Sequence, residues 1–184
     1  MMDELGISRE CLLKGLSTSI EEIFRETSKK AGLILFGSRS VDLDRFDLLQ
    51  MVQSGKVRLP RKDSDVDLFY VDFESDEMSC VGGDLFSQLS QNQSYNYPFP
   101  DAQKRLIRRI DAFLYTYGIR RHPILYIVNK DQLLRGANDE DYGSAIRDSR
   151  CKFFLKNEDS IYIGSDEEEI NESINRIRVG TFTR

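Results

Sequence analysis

Apolar residues near the start of the chain recur at intervals of three and four: Leu12, Leu13, Leu16, Ile20, Ile23 and Phe24. That spacing predicts an amphipathic helix, opened by Ser8 as its N-cap and stopped by Gly32. The period then changes. "LILF" at 33–36 is a short apolar run closed by Gly37, which predicts a buried strand followed by a sharp turn. "VDLFYVDF" at 66–73 predicts a second strand, and the segment between the two reads as a short helix over Asp44–Val52 and then a loop of Gly, Pro and basic residues. Residues 74–100 are polar and predict one weak helix near Asp84–Leu89 within loop. From Asp101 a helical stripe returns in Leu106, Ile107, Ile110, Phe113, Leu114 and Tyr117, with Lys104, Arg105, Arg108 and Arg109 largely off it and Gly118 at its end. "HPILYIV" predicts a third strand with its proline at the beginning. "NKDQLL" and "DEDYGSAIRDSR" predict short helices, and "KFFLK" and "SIYIG" short extended pieces. Residues 165–178 predict a final helix whose acidic first turn suits the helix dipole. Helices mixed with about three to five strands define an α/β or α+β fold, a small mixed sheet flanked by helices.

Composition narrows the class. A chain of 184 residues, 40% of them hydrophobic, fits one domain with its own core. Lys and Arg total 26 against 31 Asp and Glu, a net charge of -5 that argues against a general nucleic-acid coat. A local nucleic-acid surface built from Lys104, Arg105, Arg108, Arg109, Arg120 and Arg121 is a weaker reading, because a basic stripe opposite an apolar one is usually a solvated helix face. The three cysteines, Cys11, Cys80 and Cys151, are far apart and His122 is the single histidine, so neither a disulfide framework nor a zinc site is expected. "MMDELGISRE" is acidic and polar where a signal peptide would be basic and then apolar, and no apolar run is long enough to span a membrane. The expectation is a soluble, reduced, cytoplasmic protein.

The chemistry concentrates in "KDSDVDLFYV" at 62–71. On a strand, Asp63, Asp65 and Asp67 share one face while Val66, Leu68 and Tyr70 share the other. Carboxylates two residues apart repel unless a proton or a cation lies between them, and such oxygens suit magnesium with a phosphate completing the shell. The plainer alternative is a polar turn at the start of a strand. Upstream, Gly37 and Ser38 form a turn after a buried strand, which presents backbone N–H groups and a hydroxyl suited to phosphate oxygens. No G-x-x-x-x-G-K-[ST] segment occurs, so a P-loop is not the cradle.

Strand, "GS", helix and then "DSDVDL" on the next strand resembles the nucleotidyltransferase fold of the DNA polymerase beta superfamily, most closely its small bacterial and archaeal members, the minimal nucleotidyltransferases. Phe36, Gly37, Ser38, Asp65 and Asp67 occupy the positions of that motif, and "ILYIVNKDQLL" and "SAIRDSRCKFFL" are similar to later core elements. The resemblance covers roughly 12–164. It implies transfer of a nucleoside monophosphate from a nucleoside triphosphate, ATP being the first candidate, to an acceptor hydroxyl. In that picture Asp65 and Asp67 are catalytic and bind magnesium or manganese, while Gly37, Ser38 and Arg39 bind the nucleotide. It further implies a separate helical partner protein in trans. Two departures stand out. The segment between the motifs is long, giving an insertion over 41–62 beside the site, and the carboxylate the family carries on its third strand is replaced by Ile124 or Tyr126. Asp42, Asp44 and Asp72 are the candidates to replace it. The alternative function is therefore a catalytically impaired module that binds a nucleotide or a protein partner.

Overall fold

The computed structural model describes residues 6–74, 101–121, 126–137, 155 and 159–179. Helix α1 (Arg9–Thr27) leads into strand β1 (Gly32–Phe36), a 3-10 turn (Ser38–Ser40) and the short helix α2 (Leu48–Gln53). Strand β2 (Asp67–Asp72), helix α3 (Asp101–Thr116), strand β3 (Tyr126–Asn129), helix α4 (Lys130–Ala137), strand β4 (Ser160–Gly164) and helix α5 (Glu167–Val179) follow. The strands form one mixed sheet in the order β3-β2-β1-β4. β1 is antiparallel to both its neighbours, Phe36 standing opposite Asp67 on one side and Ser160 on the other, whereas β2 and β3 are parallel. The fold is the mixed α+β class expected.

The alternation of side chains along β1 and β2 builds two cores, one on each face of the sheet. Leu33, Leu35, Leu68 and Tyr70 pack against Leu12, Leu16, Ile20 and Ile23 of α1 and Leu106, Ile107, Ile110 and Leu114 of α3. Ile34, Phe36, Phe69 and Val71 pack against Leu133 of α4 and Ile170, Ile174 and Ile177 of α5. Each fully buried large aliphatic side chain contributes about 1.5–3 kcal/mol of transfer free energy. α1 and α3 meet at Gly15, where a Cβ would lie 2.0 Å from the Phe113 ring, so only glycine lets the two helices come this close. Three of the four basic side chains of α3 are paired: Arg109 with Glu22 and Glu26, Arg105 with Glu26, and Lys104 with Asp101, while Arg121 beyond the helix pairs with Asp111.

Several boundaries differ from the sequence pattern. Ser8 caps α1 as expected, its hydroxyl accepting from the Cys11 N–H at 3.1 Å. The helix ends at Thr27, not at Gly32, because Ser28 adopts the left-handed conformation (φ 55°) and donates its N–H to the Phe24 carbonyl. Gly32 instead begins β1, where a Cβ would lie 2.2 Å from the Tyr162 hydroxyl oxygen. α2 covers Leu48–Gln53 rather than Asp44–Val52, since residues 42–47 are held in turns by side-chain and ion-pair contacts. Leu155, expected in an extended piece, is helical and buried in the second core. The weak helix near Asp84–Leu89 and the segment "DEDYGSAIRDSR" lie outside the described residues. Among the described residues no helix is long and apolar enough to cross a membrane.

Candidate functional site

The turn after β1 begins at Gly37, whose φ of 73° and ψ of -159° fall in a region open essentially to glycine alone. This backbone throws the chain away from the sheet just where β2 begins on the neighbouring strand. Phe36 pairs with Asp67 in the β1–β2 register, and Asp67 lies on the same face as Phe69. The carboxylate of Asp67 therefore lies against the turn: a Cβ on Gly37 would be 2.6 Å from Asp67 Oδ2. Beneath it the Phe36 and Phe69 rings stack, with centroids 4.3 Å apart.

The turn is pinned on two other sides. The Ser40 hydroxyl lies 2.8 Å from the Gly37 carbonyl and 2.7 Å from the Asp159 carbonyl, and Arg9 Nε donates to the Ser40 carbonyl at 3.1 Å. These contacts tie the Gly-Ser turn to α1 and to the residue preceding β4. Ser38, half-buried, stands at the start of the 3-10 turn between them.

Arg39 has a task that the sequence did not suggest. Only 4% exposed, it is not a surface residue. Its Nε donates to the Ser64 carbonyl and its Nη2 to the carbonyls of Arg61, Lys62 and Ser64, at 3.0–3.2 Å. Burial pulls the guanidinium below its ordinary pKa, and the carboxylates of Asp63 and then Asp65 oppose that shift. Ser64 closes the turn that Arg39 grips, its Oγ accepting from the Arg61 N–H at 2.8 Å. Arg39 thus couples the Gly-Ser turn to the segment carrying Asp65 and Asp67, and is a positioning residue in this site.

The three aspartates do not share a strand. Asp63 lies in a turn and Asp65 in irregular, exposed backbone, because Arg39 and Ser64 hold 61–64 in a loop and the strand starts only at Asp67. Of the residues read as a site, the structure brings Gly37 and Asp67 into contact, places Ser38 on the same turn, and sets Asp65 two residues before Asp67 at the mouth of the sheet.

The proposed substitutes for the third carboxylate lie elsewhere. Asp72 is at the far end of β2, about 16 Å along the strand by the usual rise. It is 1% exposed and points to the opposite face, with Oδ1 accepting from the Glu74 N–H. Asp42 accepts from the Asp44 N–H and opens onto a groove with Asp159 and Ser160, on the β4 side of β1, while β2 is on the other side. Among the described residues no group of three His, Cys, Asp or Glu side chains is placed to hold a metal ion. Ile124 lies outside the described residues, and Tyr126 pairs with Phe69 at the start of β3.

Two carboxylates are still a sufficient protein contribution for magnesium, which usually keeps several waters and takes its other ligands from substrate phosphates. Asp65 and Asp67 fit that role by chemistry, Asp65 being open to solvent and Asp67 lying against a turn that carries a hydroxyl. Comparisons of the chain with protein-family models, with curated proteins and with solved structures return no match.

Proposed function

We propose that the Gly37–Ser38 turn and Asp67 together bind a nucleoside triphosphate with magnesium and that the protein transfers the nucleoside monophosphate to an acceptor hydroxyl. The observation that carries this reading is the approach of Asp67 Oδ2 to Gly37, at 2.6 Å from where a Cβ would stand. A carboxylate so close to a turn with a serine hydroxyl is electrostatically hostile to a bare triphosphate and favourable to one accompanied by a divalent cation. In this reading Asp65 and Asp67 hold the cation, which supplies neutralisation of the phosphate charge. The Gly37–Ser38 turn receives phosphate oxygens, and Arg39 fixes that turn relative to the segment that carries Asp65 and Asp67. The acceptor oxygen forms a bond to the α-phosphorus, the bond from that phosphorus to the bridging oxygen breaks, and pyrophosphate leaves with the electron pair. The hydroxyl proton passes to solvent or a nearby base. Such chemistry asks the protein for positioning and charge stabilisation rather than a covalent intermediate.

A second reading, a module that binds a nucleotide or a protein partner without turnover, is favoured by the positions of Asp72 and Asp42, which direct both carboxylates away from Asp67. Labelled ATP, GTP, CTP and UTP, incubated with the protein, magnesium or manganese and a cell extract, separate the two. Covalent label lost in Asp67→Asn supports the transferase. Calorimetric binding that needs Asp65 and Asp67, with no label transferred, supports the module. Equal absence of binding in wild type and in the Asp65→Ala plus Asp67→Ala variant overturns both.

A further inference from the structure

Arg120 stands beside the carboxylates, on the flank away from the Gly-Ser turn. Val66, the residue between Asp65 and Asp67, forms an isolated parallel bridge with Arg121, and its N–H donates to the Arg120 carbonyl at 3.0 Å. Residues paired in this way share a face of the sheet, and successive residues alternate between faces. Val66 is buried in the first core, and the Arg121 side chain, 5% exposed, turns toward the same layer to pair with Asp111 of α3. Arg120 is consequently directed to the opposite face, the one that carries Asp67. It precedes Arg121 as Asp65 precedes Val66, so the exposed residues Asp65 and Arg120 are neighbours, one strand spacing of about 5 Å apart in their backbones.

We infer that Arg120 is a second phosphate-binding group of this site, receiving oxygens of a triphosphate that reaches from the Gly37–Ser38 turn across Asp65 and Asp67. The inference rests on the nucleotide-binding reading above. On the β1 side Phe36 pairs with Asp67 and the Gly37–Ser38 turn follows, while Arg120 flanks the same segment on its other side. Two strand spacings, about 10 Å, separate those flanks. A ligand lying over the two carboxylates is thus met by backbone N–H groups and a hydroxyl at one end and by a guanidinium at the other.

The guanidinium is available for that task. Of the basic residues considered for a nucleic-acid surface, Lys104, Arg105, Arg109 and Arg121 are held in ion pairs, whereas the side chains of Arg108 and Arg120 make none among the described residues. Charge calls for it as well. One magnesium ion balances the two carboxylates and leaves the charge of the triphosphate itself to be met. An arginine remains protonated at any working pH, and its planar fork matches phosphate oxygens in pairs.

Calorimetry of the full chain with magnesium ATP and with magnesium tripolyphosphate tests this, the folding of each variant being checked by circular dichroism. Arg120→Ala is expected to raise the Kd of both ligands about tenfold or more, and Arg120→Lys to recover part of the loss. Arg108→Ala removes an equal charge from exposed α3 and is expected to leave both values unchanged. Manganese ion alone, followed by its electron spin resonance, is expected to bind Arg120→Ala more tightly than wild type, because a positive charge beside Asp65 has gone. A merely structural role would weaken metal and nucleotide together. Wild type that binds ATP through Asp65 and Asp67 while Arg120→Ala binds as well overturns this inference and leaves the nucleotide site standing. An equal loss in Arg108→Ala, a loss for ATP but not for tripolyphosphate, or weaker manganese binding in Arg120→Ala overturns it too. Wild type that binds neither ligand overturns both readings.

Discussion

Alanine at position 37 would have to keep φ at 73° and put its methyl carbon 2.6 Å from Asp67 Oδ2. The first demand alone costs on the order of 1–3 kcal/mol, and the second displaces the carboxylate. Gly37→Ala is therefore expected to lower unfolding free energy by at least that amount in urea titration and to weaken triphosphate binding beyond what the stability loss explains. A variant as stable as wild type would show that the turn relaxes and that glycine is not required there. The sequence made the glycine and the aspartate legible separately, one as a turn after an apolar run and the other as a charge on an alternating strand. Arg39 was not legible. Arginine is rarely buried, and only the folded loop brings the carbonyls of Arg61, Lys62 and Ser64 to one guanidinium.

Elements are joined at Asp166, which turns the chain from β4 into α5. Its carboxylate meets Lys30 from the α1–β1 turn at 2.9 Å and Lys130 from α4 at 2.9 Å. Hydrogen bonds from Lys130 and then Lys30 hold its pKa below the ordinary carboxylate value. A carboxylate held low in the fold contributes stability in full above its unfolded pKa and loses it as pH falls through the folded one. Asp166 is partly exposed, so the contribution is about 1 kcal/mol or less. Asp166→Asn keeps the left-handed backbone (φ 54°), which Asn tolerates well, and removes the charge. Its deficit against wild type is expected at neutral pH and is expected to vanish below the carboxylate range, as read by denaturant midpoints across a pH series. A deficit constant with pH would assign the loss to geometry. The acidic first turn of α5 was visible in the sequence, but not Asp166's link to two distant lysines, which depends on how α4 packs against α5.

At the scale of the molecule, the described residues form a sheet between two helical layers, and among them the two cores share no member. Leu16→Ala empties one and Ile174→Ala the other, each at a cost of about 2–5 kcal/mol. Because the backbone of β1 and β2 separates them, the losses are expected to add within about 0.5 kcal/mol in the double variant, still in one cooperative transition. Coupling well beyond that would mean that strain crosses the sheet. Periodicity disclosed the inward faces of α1 and α3, since each has a strong apolar stripe. Strand order was beyond it: "SIYIG" reads as extended, yet nothing local says that it lies beside β1 rather than next to β3.

That order carries a consequence for synthesis. β1 emerges early and can pair with β2, but its other neighbour, β4, ends at Gly164, after most of the chain has been made. Until then Gly-Leu-Ile-Leu-Phe, buried on every residue in the finished sheet, has one edge without its native partner. An apolar strand waiting in that way can recruit the wrong neighbour as readily as the right one. Closing the sheet at β4 thus makes the newly made chain's freedom from aggregation depend on its last strand, and a ribosome that stalls before Asp159 leaves β1 with half of its pairing unmet.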